Sequence, residues 1–316
     1  MHNVLFLNGQ SAQVAEIMQG YALEGFELAV HSSNCSEEDK KALIRDAEFL
    51  LLHPADISAP VLQAARKLKH IQLLTAGYDK VDIRAARELG ITVSTNGGAN
   101  AWAVAEHTIA LLLALYKKLL QCDQSVRAGT WRKPVTGGNT FEVAGKTVGL
   151  VGVGNIGSKV AKRLKAFETE IIFCDRGSAN GDEFGGTRVD LKTLLSQSDI
   201  ISFHLPLTDA TRGMIGVAEL DMMKSSAVLL NTSRAELVDE EALEIALREG
   251  WIAGAGLDVF YEEPVPANCG LLELDNVVLT PHTAGHSHEG WFRRARFAWE
   301  NIQRVAAGEQ PASQVK

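Results

Sequence analysis

Cysteine is scarce and scattered in this chain. Cys35, Cys122, Cys174 and Cys269 are the only four in 316 residues, and no two fall at C-x-x-C spacing. That excludes a disulfide-stapled scaffold and a thiolate zinc ribbon, and it leaves reduced thiols in a cytoplasmic protein as the expectation. No apolar run is long enough to cross a bilayer. Residues 102–115 come nearest, but Glu106-His107 interrupt them and Lys117-Lys118 close them, so a buried helix and no membrane partner are expected. A basic surplus is also missing. The net charge is −8, with 31 Lys and Arg against 39 Asp and Glu. No basic stripe is present to neutralise phosphates, which argues against nucleic acid as a partner. An anionic small molecule would therefore have to be captured by local positive charge. No secretory leader is read at the start, where residues 3–7 look like a first strand. There is no internal repeat and no low-complexity tract.

What is present is an alternation of short apolar runs and helix-period stretches, the pattern of parallel α/β sheets. Strands are expected at 4–7, 49–53, 71–75 and 91–94, with helices at 37–47 and 83–89 among those between them. A second series begins after Lys146, with strands at 147–151, 170–174, 200–204, 228–231, 254–258 and 277–280. Six strands behind one nucleotide fingerprint predict a doubly wound parallel sheet. Between the two series, residues 101–122 read as one long helix, apolar on most sides and therefore buried nearly all round. Residues 127–142 read as an extended loop. An amphipathic stretch at 289–307 would return to the first domain. The expected division is thus 1–99 plus 287–316 as a smaller lid domain, with 100–286 as the nucleotide domain.

The most informative segment is Thr147-Val-Gly-Leu-Val-Gly152-Val-Gly154-Asn-Ile-Gly157, followed by a helix-compatible stretch at 155–167. A second apolar run, Glu170-Ile-Ile-Phe-Cys, then leads into Asp175, eighteen positions after the last glycine. This is the order of a Rossmann mononucleotide-binding unit. Gly152 serves the tight turn, Gly154 the approach of a pyrophosphate, and Gly157 the close packing of helix on strand. The helix N-terminus offers N–H donors to phosphates. Asp175 would accept from the adenosine ribose hydroxyls and repel a 2′-phosphate, which favours NAD over NADP; Arg176 beside it tempers that preference.

Three further motifs follow predicted strands, at the carboxyl ends where open α/β sheets bind ligands. They are Asn231-Thr-Ser-Arg234-Ala-Glu-Leu-Val-Asp239, Gly256-Leu-Asp258-Val-Phe-Tyr-Glu-Glu263-Pro264, and Leu279-Thr-Pro281-His282-Thr-Ala-Gly285. Together with Gly77-Tyr-Asp79, Ala103-Val-Ala-Glu106-His and His204-Leu-Pro206-Leu-Thr, they make the chain resemble the D-isomer-specific 2-hydroxyacid dehydrogenases. The likeness runs from about Leu73 to Gly285. It implies a Rossmann domain plus a flavodoxin-like α/β lid domain, and a substrate could bind in the cleft between lid and nucleotide domains. The apolar helix at 101–122 and the loop at 127–142 would suit a two-fold interface, because a large hydrophobic surface needs cover, so a homodimer through the 101–142 region is expected.

The resemblance also implies roles for single residues. Arg234, Glu263 and His282 correspond to the family's catalytic set. Arg234 would pair with the carboxylate of a 2-keto acid and polarise its carbonyl. His282 would exchange the proton as hydride arrives. Glu263 would orient the imidazole and favour its charged form. Glu262 is adjacent, so the residues alone leave that pairing open; the likeness selects Glu263 by its neighbour Pro264. Ala76, Gly77 and Asn100 would join Arg234 in holding substrate. Asn155 and Ile156 would lie at the pyrophosphate, His204 and Pro206 by the adenosine half, and Thr232, Asp258 and Gly285 by the nicotinamide, with Arg234 and His282 also near the cofactor. A rival reading takes His282, His286, His288 and Cys269 as metal ligands, but no second motif completes a site and none is expected. The implied activity is NAD(H)-dependent interconversion of a small 2-keto acid, such as glyoxylate or hydroxypyruvate, with its D-2-hydroxy acid. Alternatives are a 3-phosphoglycerate dehydrogenase-like enzyme and a non-catalytic NAD(H)-sensing scaffold like the corepressors of this superfamily.

Overall fold

The computed structural model describes residues 1–135, 137–177 and 181–315. The chain divides into two compact units, residues 1–100 with 286–316, and residues 101–285.

The first unit is a five-stranded parallel sheet with helices between its strands. In chain order it runs β1 (His2–Asn8), α1 (Ala12–Gly20), β2 (Phe26–Ser32), α2 (Glu37–Ile44), β3 (Phe49–His53), α3 (Ala59–Ala64), β4 (His70–Leu73), α4 (Ile83–Glu88) and β5 (Thr92–Ser94). The strand order β2-β1-β3-β4-β5 is the flavodoxin-like order. β3 and β4 are buried along their whole length. Helices cover both of their faces, so Phe-Leu-Leu-Leu is continuous rather than alternating. β2 was not among the expected strands. It lies at the sheet edge and is mostly exposed, so its sequence, Phe-Glu-Leu-Ala-Val-His-Ser, carries only a three-residue apolar run broken from Phe26 by Glu27. The helix at 37–47 is shorter than expected, ending at Ile44, and starts at a capping box between Ser36 and Asp39. The C-terminal helix, His288–Ala306, is capped by Ser287, whose side chain accepts from the Gly290 N–H. It packs Trp291, Ala295, Ala298, Trp299 and Ile302 against Val4, Phe6 and Phe49. Residues 313–315 return to the sheet, where the Val315 N–H donates to the Val93 carbonyl at 2.8 Å.

The second unit opens with α5 (Ala101–Tyr116) and α6 (Leu119–Arg127). These replace the single helix expected over 101–122. Lys118 takes a left-handed backbone, φ 49°, which turns the chain. For a side-chain-bearing residue that costs about 1 to 2 kcal/mol. α5 is buried on most sides, whereas α6 leaves Leu119, Leu120 and Val126 exposed. The rest runs β6 (Thr147–Val151), α7 (Gly157–Lys165), β7 (Glu170–Cys174), β8 (Thr187–Arg188), α8 (Leu191–Gln197), β9 (Ile200–Phe203), α9 (Val217–Asp221), β10 (Val228–Asn231), α10 (Glu240–Arg248), β11 (Gly254–Leu257) and β12 (Val277–Leu279). The sheet has seven strands, not six, in the order β12-β11-β10-β9-β6-β7-β8. The added strand is the two-residue edge β8, too short for any periodicity to reveal. All pairings are parallel. β6 is flanked by β7 on one side and β9 on the other, so the winding reverses there and opens a crevice at their carboxyl ends.

Candidate active site

The crevice is built by the loop after β6. Gly152 has φ +93°, and a Cβ there would lie 2.6 Å from the His204 carbonyl oxygen. The turn therefore admits only glycine. A Cβ on Gly157 would collide with the Gly152 carbonyl, which fixes how closely α7 packs on the turn. At Gly154 a Cβ would meet nothing within 4 Å, so the backbone faces open space at the foot of α7. That is the cradle a pyrophosphate requires, and Asn155 and Ile156 lie between it and the first helical residue. Asp175, just past β7, accepts from the Val153 N–H at 2.9 Å and the Gly177 N–H at 2.6 Å, tying the end of β7 to the glycine loop. Arg188 donates to the Gly177 carbonyl at 2.7 Å.

His204 falls one residue past β9, next to Gly152. Its Nε2 lies 2.9 Å from Ser202 Oγ, while Nδ1 is shut off from solvent and has no hydrogen-bond partner among the described residues. Burial pushes this imidazole down to about 3, so it is neutral near pH 7. Pro206 is exposed, and its carbonyl accepts from Thr211 Oγ1 at 2.8 Å. The glycine turn, the open cradle and the acid at the end of β7 fit a dinucleotide.

The other three loops leave the neighbouring strands β10, β11 and β12. Their last residues are in register, Asn231 with Leu257 and Leu257 with Leu279. Arg234 stands three residues beyond β10. Its loop is held by Asn231, whose Nδ2 donates to the Arg234 carbonyl at 2.8 Å and whose Oδ1 accepts from the Ser233 N–H at 3.0 Å. Ser233 Oγ donates to the Phe203 carbonyl at 2.6 Å. Arg234 Nη1 donates to the Ser233 carbonyl at 2.7 Å. Tyr261 Oη donates to the Val238 carbonyl at 2.7 Å, which links the β10 and β11 loops.

Glu263 and His282 meet. His282 Nδ1 is 2.8 Å from Glu263 Oε2 and 3.0 Å from Oε1, and Oε1 also accepts from the Phe260 N–H at 3.1 Å. A carboxylate accepts only, so Nδ1 carries a proton and Nε2 is the working nitrogen. His282 adopts a left-handed backbone, φ 53°, an uncommon state for a side-chain-bearing residue. Its loop is pinned by Asp258, which is 1% exposed. Asp258 Oδ1 accepts from Thr280 Oγ1 at 2.7 Å and the Thr283 N–H at 2.9 Å, and Oδ2 accepts from the Ala284 N–H at 2.8 Å. Thr232, also buried, is 3.1 Å from Thr108 through its hydroxyl. Gly285 ends this loop and the second unit.

The remaining candidates belong to the first unit. Ala76 and Gly77 follow β4 at the carboxyl edge of that sheet, in a turn where Thr75 Oγ1 donates to the Gly77 carbonyl at 2.7 Å. Asn100 is buried, and its Oδ1 accepts from Asn96 Nδ2 at 3.0 Å.

A family described as D-isomer specific 2-hydroxyacid dehydrogenase, NAD binding domain, matches residues 109–284. A glyoxylate reductase of Thermofilum pendens is 42% identical over 301 residues, covering 92% of this chain and 88% of that protein. A hydroxypyruvate reductase of Thermotoga maritima is 38% identical over 266 residues, covering 83% and 86%. Among solved structures, the NAD-complexed D-isomer specific 2-hydroxyacid dehydrogenase of Lactobacillus delbrueckii superposes with a TM-score of 0.80 at 26% identity, over 100% of both chains. The chain belongs to the D-isomer-specific 2-hydroxyacid dehydrogenases.

This dehydrogenase is an NAD-dependent oxidoreductase, and its two α/β units carry the family's fold. Around the loops that its sequence motifs mark, several residues escaped sequence reasoning. Ser233, Tyr261 and Thr280 tie the loops together, and His107 on α5 reaches Thr280 at 2.9 Å. His107 does sit in a recognised motif. Its partner is 173 positions away, however, and no local pattern records such a contact.

Proposed function

We propose that this dehydrogenase reduces a small, unphosphorylated 2-keto acid, glyoxylate or hydroxypyruvate, to its D-2-hydroxy acid with NADH. The single observation that carries the reading is the Glu263–His282 hydrogen bond, which leaves Nε2 of an exposed imidazole as proton donor beside the nucleotide crevice. Relatives named for these two acids support the choice.

When bound in the crevice, NADH would supply the hydride for the carbonyl carbon. Arg234 pairs with the substrate carboxylate and polarises the neighbouring carbonyl. The carbonyl oxygen takes the Nε2 proton of His282 as its bond to carbon becomes single. Glu263 holds the imidazole through Nδ1 and so orients Nε2 for that transfer. In the oxidative direction the same Nε2 removes the hydroxyl proton. Ala76 and Gly77 are proposed as backbone donors to the carboxylate, and Asn100 as a side-chain donor. On the cofactor, Gly152, Gly154, Asn155, Ile156 and Gly157 are assigned to the pyrophosphate, and Asp175 to the adenosine ribose. His204 and Pro206 are assigned beside the adenosine half, with Thr232, Asp258 and Gly285 at the nicotinamide. Asp258 Oδ2, which accepts the Ala284 N–H, is assigned to the carboxamide.

We further propose a cytoplasmic homodimer formed through residues 101–142. Leu119, Leu120, Val126, Trp131 and Phe141 are exposed there, and Trp131 is 66% exposed. So many large apolar side chains along one segment call for a cover. Sedimentation of the parent against Leu119→Glu and Val126→Glu tests this; a monomeric parent would refute it.

The activity test follows the NADH absorbance band with glyoxylate, hydroxypyruvate and larger or phosphorylated 2-keto acids. The reading expects turnover with the first two. Turnover with phosphorylated acids alone would favour a phosphoglycerate-type role. Tight NADH binding without any turnover would favour a sensor.

A further inference from the structure

We propose that His107 is a positioning residue for this reaction, holding the turn that presents His282 through a directed chain of hydrogen bonds. The inference rests on the assignment of His282 as acid/base.

The direction of the chain follows from counting protons. Asp258 already accepts from the Thr283 and Ala284 N–H groups, and the Thr280 hydroxyl donates its one proton to Asp258 Oδ1 at 2.7 Å. Thr280 Oγ1 therefore has only lone pairs to offer His107, whose Nε2 lies 2.9 Å away. His107 Nε2 must carry hydrogen. The chain runs His107 Nε2–H to Thr280 Oγ1–H to Asp258 Oδ1. It starts at a side chain that is 25% exposed and ends at one that is 1% exposed. His107 Nε2 itself stands 3.6 Å from Asp258 Oδ1, so charge on the imidazole would be felt directly as well.

The consequence falls on His282. Thr280 lies two residues before it, and Thr283 and Ala284 immediately follow. All three are bound to the one Asp258 carboxylate. The turn is closed by the His282 N–H donating to the Thr280 carbonyl at 3.0 Å. A left-handed histidine persists only where its surroundings over-determine it. Asp258 clamps both flanks, and His107 fixes the rotor of the Thr280 hydroxyl on which one flank depends. With that donor gone, the hydroxyl can turn away and one flank of the turn comes loose. A misplacement of about 1 Å at a proton donor lowers turnover about a hundredfold.

The test pairs His107→Leu, which removes the donor at similar bulk, with His107→Gln, whose amide N–H reaches the position of Nε2. Leu is expected to lower kcat about tenfold to a hundredfold, with KM for NADH changed less than threefold. Gln should recover kcat to within about threefold of the parent. Thr280→Val should reproduce the Leu defect, and the double variant should be no worse than either, because both break one chain. Two readouts on the cofactor-free protein stand apart from turnover. In a ¹⁵N-histidine spectrum His107 should appear protonated at Nε2. Hydrogen exchange at the Thr283 and Ala284 amides should quicken at least tenfold in His107→Leu. Parent-like kcat in His107→Leu, equal loss in the Gln variant, or unchanged amide exchange would each overturn the proposal. Turnover surviving in His282→Ala would instead overturn the acid/base assignment while leaving the amide-exchange result standing.

Discussion

Two alanine substitutions three residues apart should have opposite signatures. At Gly154 a Cβ meets no protein atom within 4 Å, and the residue is not among those with positive φ. Gly154→Ala should therefore leave the cofactor-free protein as stable as the parent or more stable, by about 0.4 to 1 kcal/mol from the stiffer unfolded chain. The methyl group nevertheless projects into the space assigned to the pyrophosphate. Losing charge-assisted contacts worth about 2 to 3 kcal/mol should weaken NADH binding about 30-fold to 150-fold. At Gly157 the added Cβ would strike the carbonyl oxygen of Gly152 and lie 3.0 Å from its carbon. Those are backbone atoms, so α7 has to shift, at a cost of about 1 to 3 kcal/mol and about 3 to 10 °C in Tm. Thermal scans without cofactor and NADH fluorescence titrations separate the two. If Gly154→Ala binds NADH as the parent does, or destabilises the cofactor-free protein as much as Gly157→Ala, the reading of the cradle is wrong.

Glu263→Gln keeps a hydrogen bond to His282 Nδ1 but removes the charge. Because both side chains are over a third exposed, the loss is set at about 1 to 2 kcal/mol, or about fivefold to thirtyfold in kcat for keto-acid reduction; a kcat within twofold of the parent would refute the role. Asp175→Ala also frees the Val153 and Gly177 N–H groups, so both cofactors should bind less well. The readout is accordingly the ratio of kcat/KM for NAD over NADP, expected to fall about tenfold or more, and an unchanged ratio would show that Asp175 does not meet the ribose. His70 is buried between Thr92 and Gln72, and burial pushes it down from 6.5 to about 4. Its stability contribution is complete above pH 6.5 and is lost as the pH falls towards 4, by about 1 to 3 kcal/mol. A Tm-against-pH profile should lose that acid limb in His70→Gln.

The fold was most legible where strands are buried on both faces. β3, β6, β7 and β10 begin and end where their apolar runs do. β2 and β8 were not legible, because an edge strand needs no apolar run and two residues have no period. β9, β11 and β12 each stop one residue short of their expected bounds, and the residues left over are His204, Asp258 and Thr280. Asp258 and Thr280 tie the His282 loop, and the His204 carbonyl abuts the Gly152 turn. Nothing in the run of leucines and lysines over 111–120 marks the turn at Lys118, since every residue there tolerates a helix. Single site residues could be named because their motifs are short and contiguous. The chain from His107 through Thr280 to Asp258 could not, because it joins three elements distant in sequence.

The most direct test of the account measures His282→Ala twice, by NADH oxidation with glyoxylate and hydroxypyruvate and by NADH affinity. Loss of the proton donor should cost turnover about 10²-fold to 10⁴-fold while NADH affinity stays within threefold of the parent. Turnover within a few-fold of the parent, or cofactor affinity lost along with activity, would contradict it.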